Sequence, residues 1–92
     1  MTFDELEQAR QVFQLSERAS LKEIKERHRM LIKRYHPDGG GDDPERIRQV
    51  NEAYRILQAY TVGYRFSFNR EEFYEQKPEE RLRDQFPLWG SR

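Results

Sequence analysis

Through the first sixty residues apolar side chains return at every third or fourth position; after that the rhythm changes. Leu6, Ala9, Val12 and Phe13 keep the spacing of one helical face. Thr2 stands where a cap belongs, and Glu5 is placed to reach back to it as a capping-box partner. A second stripe, Leu21, Ile24, His28, Leu31 and Tyr35, is one residue wide and opens with a cleaner capping box, Ser20-Leu21-Lys22-Glu23. The third begins at Asp43-Pro44, a capping side chain followed by proline at the first helical position. Its buried stripe is expected to be Ile47, Val50, Tyr54 and Leu57, with Ala53 beside them for close approach.

Between the second and third stripes lies His36-Pro37-Asp38-Gly39-Gly40-Gly41-Asp42. Pro37 moves His36 out of the helical region, and three glycines in a row carry a freedom that helices do not tolerate cheaply. The prediction is an all-α fold. Helices over 21–35 and 44–59 form an antiparallel hairpin with this loop at its tip, and a short first helix lies across their apolar faces. Burial of about ten apolar side chains at ~1.5–3 kcal/mol each has to offset the ordering cost, so a modest net stability is expected.

Residues 60–92 hold eight of the twelve aromatic residues without a helical stripe. Tyr60, Val62, Tyr64, Phe66 and Phe68 alternate with polar or small residues, which is a strand period. With no second strand to pair with, this stretch is expected to be an extended arm packed on the helices. A short helix capped by Asn69, with Glu72 in the box position, is expected to end at Gln76, and another to run from Pro78 through Phe86. The chain closes with Pro87-Leu88-Trp89-Gly90. Residues 1–60 therefore read as one domain and 61–92 as an aromatic-rich extension packed on it.

Composition narrows the function. Only 35% of the residues are hydrophobic and 37% are charged, so the core is small. Cysteine is absent, which removes disulfides, thiolate metal sites and thiol nucleophiles together. Lys plus Arg, 17, balance Asp plus Glu, 17, so no overall field attracts nucleic acid or an anionic membrane. The balance hides a local bias: between Ser20 and His36, Lys22, Lys25, Arg27, Arg29, Lys33 and Arg34 face only Glu23 and Glu26. No apolar run approaches the ~20 residues of a membrane span, and the N-terminus lacks the form of a signal peptide. A cytoplasmic monomer is the expectation. An imidazole and a carboxylate held side by side at a solvated tip suit contact with another protein better than the holding of a substrate.

Lys33-Arg34-Tyr35-His36-Pro37-Asp38, followed by Asn51-Glu52-Ala53-Tyr54-Arg55-Ile56-Leu57, resembles the J-domain of DnaJ-type co-chaperones over about Leu6 to Tyr60. The resemblance implies a hairpin that docks on a DnaK-type chaperone and stimulates its ATP hydrolysis, with no catalytic residue, cofactor or metal of its own. The tripeptide required in that family falls on His36, Pro37 and Asp38, and the basic face on Lys25, Arg29, Lys33 and Arg34. Asn51, which opens the second matching string, joins the expected partner-binding residues. The chain departs from the family at His28, often tyrosine; at Met30, often basic; at Ile47, often phenylalanine; and at the triple glycine. The family's basic fourth helix is not recognisable after Tyr60, and nothing resembles the zinc-binding, glycine-phenylalanine or client-binding regions of full-length DnaJ. A minimal J-protein is expected, with client and location specificity left to residues 60–92.

Plainer readings compete. The tripeptide also suits an ordinary helix-stop turn, and a basic stripe is often no more than a solvated face. His28 lies on the apolar stripe and reads as a satisfied core histidine. Asp38, Asp42 and Asp43 lack the alternation and terminal glutamate of a calcium loop, and the triple glycine lacks the Lys-Ser/Thr of a phosphate cradle. Two other functions stay open. One is a J-like adaptor without stimulation, acting through its C-terminal arm; the other is a nucleic-acid-binding helical hairpin. Acidic Glu71, Glu72, Glu75, Glu79 and Glu80 weigh against nucleic acid at the C-terminal aromatics.

Overall fold

Each of the three stripes folds as a helix, and each helix starts on the residue expected to cap it. The computed structural model describes residues 1–85. Helix α1 spans Phe3–Phe13, α2 Leu21–Tyr35, α3 Pro44–Val62, α4 Arg70–Gln76 and α5 Pro78–Gln85, with a single 3-10 turn at Pro37–Gly39. Among the described residues there is no strand. The expected end of the last helix at Phe86, and the closing Pro87 to Gly90, lie outside the described residues.

The starts are local chemistry. At α2 the Ser20 hydroxyl accepts from the Glu23 N–H at 3.1 Å while the Glu23 carboxylate accepts from the Ser20 N–H at 2.9 Å, so two orphan donors are satisfied reciprocally. Asp43 and Asn69 cap α3 and α4 in the same way, accepting from Arg46 and Glu72 N–H groups. At α1 the Thr2 hydroxyl accepts from Glu5 N–H, but Glu5 takes a bond from that hydroxyl instead of the backbone, so the box stays half made.

Helix α1 ends in a motif that its composition conceals. Gln14 adopts φ 53°, a left-handed conformation usually given to glycine. Its N–H donates to Gln11 O and the Leu15 N–H to Arg10 O, the two reversed bonds of a Schellman end. The residue after the reversal, Leu15, is thereby turned into the core, and the Arg10 guanidinium holds its carbonyl at 2.7 Å.

Phe13 is fully buried at the centre of a core that also contains Ala9, Leu15, Ile24, Leu31, Val50, Ala53, Ile56 and Leu57. Helix α1 packs mainly on α3 and less on α2, so α3 carries two buried faces. Ile56 is needed for the second of them, outside the expected stripe, while Ile47 and Tyr54 are only half-buried. Leu21, at the first position of α2, is exposed.

The extension departs from expectation. Helix α3 runs to Val62 because no breaker intervenes before Gly63, so Tyr60 and Val62 lie on a helix and not on an extended arm. Tyr64, Phe66 and Phe68 follow without regular structure, and all three are exposed. They meet each other instead of the core: Tyr60 and Tyr64 pack edge to face at 5.9 Å, and Tyr64 and Phe66 at 5.5 Å. Helices α4 and α5 pack on one another, joined by a Tyr74 hydroxyl bond to Asp84, and do not reach the three-helix body. The radius of gyration of 18.2 Å, against about 12 Å for a compact chain of this length, reflects this projection. Where packing of 60–68 on the helices was expected, Tyr64, Phe66 and Phe68 are exposed, and the core around Phe13 is built without them.

Two outcomes follow for stability. Phe13→Ala should cost about 3–5 kcal/mol, whereas Phe68→Ser should stay within about 0.5 kcal/mol of the parent, both read by urea denaturation. Glu23 lies below its ordinary value of 4.5, held there first by the backbone bond from Ser20 and then by the serine hydroxyl. A depressed carboxylate contributes stability above its unfolded pKa and loses it as pH falls through the folded value. Acid titration below about pH 4 should weaken the parent more than Ser20→Ala, which lacks half of the box.

Candidate protein-docking site

The tip of the hairpin is held by backbone geometry that only glycine permits. A Cβ on Gly39 would lie 1.7 Å from the Lys33 carbonyl oxygen, and one on Gly41 2.4 Å from that of Arg34. Gly40 between them has φ 90°, where an L side chain is strained. The triple glycine is thus a close-packed seat on the end of α2 and not a loose spacer. His36 O accepts from the N–H groups of both Gly39 and Gly41, and Tyr35 O accepts from Asp43 N–H. Arg46, in the first turn of α3, sits over the Tyr35 ring at 5.8 Å and closes the hairpin.

On this seat the tripeptide turns outward. His36, Pro37 and Asp38 are all exposed, and the Asp38 side chain is 94% accessible. His36 leaves the helix with extended backbone, φ −81° and ψ 145°, as a following proline requires. Its Nδ1 accepts from the Asp38 N–H at 3.2 Å. In the neutral ring that bond assigns the remaining proton to Nε2, so the imidazole braces the turn with one nitrogen and keeps a donor on the other. The Asp38 carboxylate, 3.6 Å from Nδ1, keeps its oxygens open to solvent.

A shallow groove of about 560 Å³ runs from this turn along α2, lined by Lys25, Arg29, Lys33, His36, Asp38 and Gly39, with His28, Ile32 and Tyr54 beside them. Helical periodicity explains the grouping, since Lys25, Arg29, Lys33 and His36 fall on one side at about 100° per residue. Arg34 follows Lys33 by one such step and does not line the groove; nor do Pro37 and Asn51. Among the described residues the ion pairs between full charges join residues three apart on one helix: Glu7–Arg10, Glu45–Arg48, Glu52–Arg55 and Glu80–Arg83. The cations of the α2 stripe have no carboxylate partner within the described chain.

The side of the groove is formed by an interaction between distant parts of the sequence. The His28 ring stacks on Tyr54, centroids 3.8 Å apart and planes within 6°, and Phe13 lies parallel beside the pair, 6.1 Å from His28 and 6.2 Å from Tyr54. His28 Nε2 donates to Asn51 Oδ1 at 3.2 Å. His28 is therefore satisfied, as expected, though half-buried and not in the core proper. Asn51 clasps α2 to α3, a role that its place in the motif string did not disclose. Among the described residues no group of His, Asp or Glu side chains is arranged to hold a metal ion, and no helix is long and apolar enough to cross a membrane.

A helical hairpin presenting this turn beside a basic stripe defines the class. The chain belongs to the DnaJ-domain family, whose model matches residues 9–61. It is 42% identical over 50 residues to the chaperone protein DnaJ of Halothermothrix orenii, covering 51% of this chain and 13% of that protein. It is also 43% identical over 49 residues to the DnaJ of Hydrogenobacter thermophilus, covering 51% of this chain and 14% of the relative. The matched region is thus about one-seventh of the relatives' length. No solved structure matches the chain significantly.

Gly39→Ala is expected to lift the turn off α2 and break the His36 brace. A large shift of the Asp38 amide resonance, with smaller changes in α1, would register it. An unmoved Asp38 amide would show that the turn does not depend on that close approach.

Proposed function

We propose that this chain binds a DnaK-type chaperone and stimulates its ATP hydrolysis, contributing no catalytic residue. The carrying observation is the groove that joins an open carboxylate, a braced imidazole and three cations, with no carboxylate partner among the described residues, on one face of α2. Family membership supports the class of partner.

In this reading Asp38 accepts a charge-assisted bond from a cationic side chain of the chaperone, of the strong kind when an arginine meets it with two N–H groups. Its carboxylate needs no rearrangement, because the backbone N–H of the same residue is already tied to His36. Pro37 and the glycine seat reduce the freedom lost on docking, which is where preorganisation adds affinity. The Nε2 hydrogen of His36 supplies a second contact. Lys25, Arg29 and Lys33 steer encounter with an acidic surface, so their effect falls on the association rate and weakens with salt. Arg34 extends the positive field outside the groove. Asn51 acts by positioning, through its clasp on His28.

Single-turnover ATP hydrolysis by a DnaK-type chaperone tests the reading. The parent should accelerate it; His36→Gln and Asp38→Ala should not, with the loss of Asp38 weakening the complex by about 2–5 kcal/mol. Lys25→Glu with Arg29→Glu should slow association most at low ionic strength, while Asn51→Ala should cost less than either loop change. Equal hydrolysis rates with parent and His36→Gln reject the proposal. Absence of stimulation by the parent, with the extension still capturing a partner, would favour the adaptor reading.

A further inference from the structure

The aromatic segment after α3 has the strand period without a strand partner, and we infer that it becomes a strand by pairing antiparallel about Phe66 with the same segment of a second copy. Residues 64–68 have no regular structure, and among the described residues the backbone N–H groups of Arg65, Phe66, Ser67 and Phe68 have no partner. Tyr64, Phe66 and Phe68 alternate with Arg65 and Ser67. The 5.5 Å contact between the Tyr64 and Phe66 rings shows that these two share a side, as side chains two apart do on a strand.

One existing bond fixes the parity of a ladder centred on Phe66. Tyr64 N–H already donates to Thr61 O at 3.2 Å, so residue 64 cannot give that hydrogen to a ladder. Antiparallel ladders alternate between pairs that exchange both backbone bonds and pairs that exchange none. If Phe66 faces its own copy in a non-bonded pair, the bonded pairs are Arg65 with Ser67 and Ser67 with Arg65, whose N–H groups are free. Shifting the parity would require the engaged Tyr64 hydrogen.

The same register suits the side chains. Phe66 meets Phe66, and Tyr64 meets Phe68, all in the closer non-bonded pairs where aromatic partners gain most. On the other side Arg65 stands opposite Ser67, so no two like charges are directly opposed. Tyr60, packed edge to face on Tyr64, extends the aromatic face at each end.

The available area fixes the strength. Tyr64, Phe66 and Phe68 are 53%, 65% and 94% exposed. At about 150–250 Å² per fully buried aromatic side chain, two copies can remove roughly 600–1,100 Å² of side-chain surface. That is below the ~1,200–2,000 Å² of stable interfaces, so the pairing is reversible and concentration-dependent. It leaves the groove on α2 uncovered, because the segment lies beyond the opposite end of α3 from the hairpin tip.

The absence of cysteine makes the test direct. In the 92-residue chain, Phe66→Cys puts a single thiol on the two-fold axis, where Cβ separation approaches disulfide geometry, and Arg65→Cys puts one off the axis on the other face. Under mild oxidation Phe66→Cys should form disulfide-linked dimer about tenfold faster than Arg65→Cys. By sedimentation the parent should pass from one copy towards two as concentration rises, and Phe66→Arg should remain single. Equal oxidation rates would overturn the inference, as would a parent that stays single at every concentration. Protection of amides 65–68 that arises only when an unrelated apolar peptide is added to the single-copy chain would also overturn it, by identifying another occupant.

Discussion

No side chain fits between the end of α2 and the turn that follows it, and the exposed tripeptide owes its orientation to that fact. Gly39 and Gly41 rest against the Lys33 and Arg34 carbonyls at distances that exclude a Cβ. With the backbone seated so closely, His36 O collects two N–H groups and the imidazole turns back to the Asp38 amide. What remains for solvent is a carboxylate, a proline ring and one edge of an imidazole. The turn is rigid because its polar groups are spent internally, and it is open because its acidic side chain is not.

The seat gains its value from what flanks it. The α2 stripe reaches the turn on the same side of the helix as His36, so charge and turn form one surface. The angle of that surface to α3 is held by residues far apart in sequence: His28 on Tyr54, Asn51 on His28, and Arg46 on Tyr35. Phe13 lies parallel beside the first of these stacks, about equally far from both rings, which ties the fully buried centre of the core to the wall of the groove. Loss of core packing is therefore expected to reach the docking face through this stack, not through the loop.

Local chemistry was readable from the sequence and three-dimensional economy was not. Capping by Thr2, Ser20, Asp43 and Asn69 could be anticipated because each needs only a side-chain oxygen and an N–H two or three residues away. The hairpin and the exposed tripeptide followed from helix periods and a proline. Leu15 was missed because the reversal at Gln14 lacks the glycine that signals it. Ile56 was missed because a single stripe cannot reveal that α3 packs against two helices. The clasp made by Asn51 is a tertiary contact across 23 positions, and no periodicity encodes it. The glycines were read as freedom, whereas their neighbours make them a requirement of space.

The strand period after residue 60 shows why pattern and packing must be weighed together. Alternation identifies a stretch that would make a good strand; it does not supply the partner. Here the helix takes the first half of the stretch, because nothing interrupts it before Gly63, and the core cluster includes no residue of the second half. The aromatic side chains therefore remain outside, beside backbone N–H groups that have no partner among the described residues. A segment able to form a strand edge is usually blunted by charge, proline or covering structure. In this chain Arg65 is the one charged residue within 64–68 and proline is absent from it, so the segment retains the features that favour pairing. The two ends of α3 thus divide the molecule: one presents a polar turn closed upon itself, the other an aromatic segment whose N–H groups at 65–68 have no partner among the described residues.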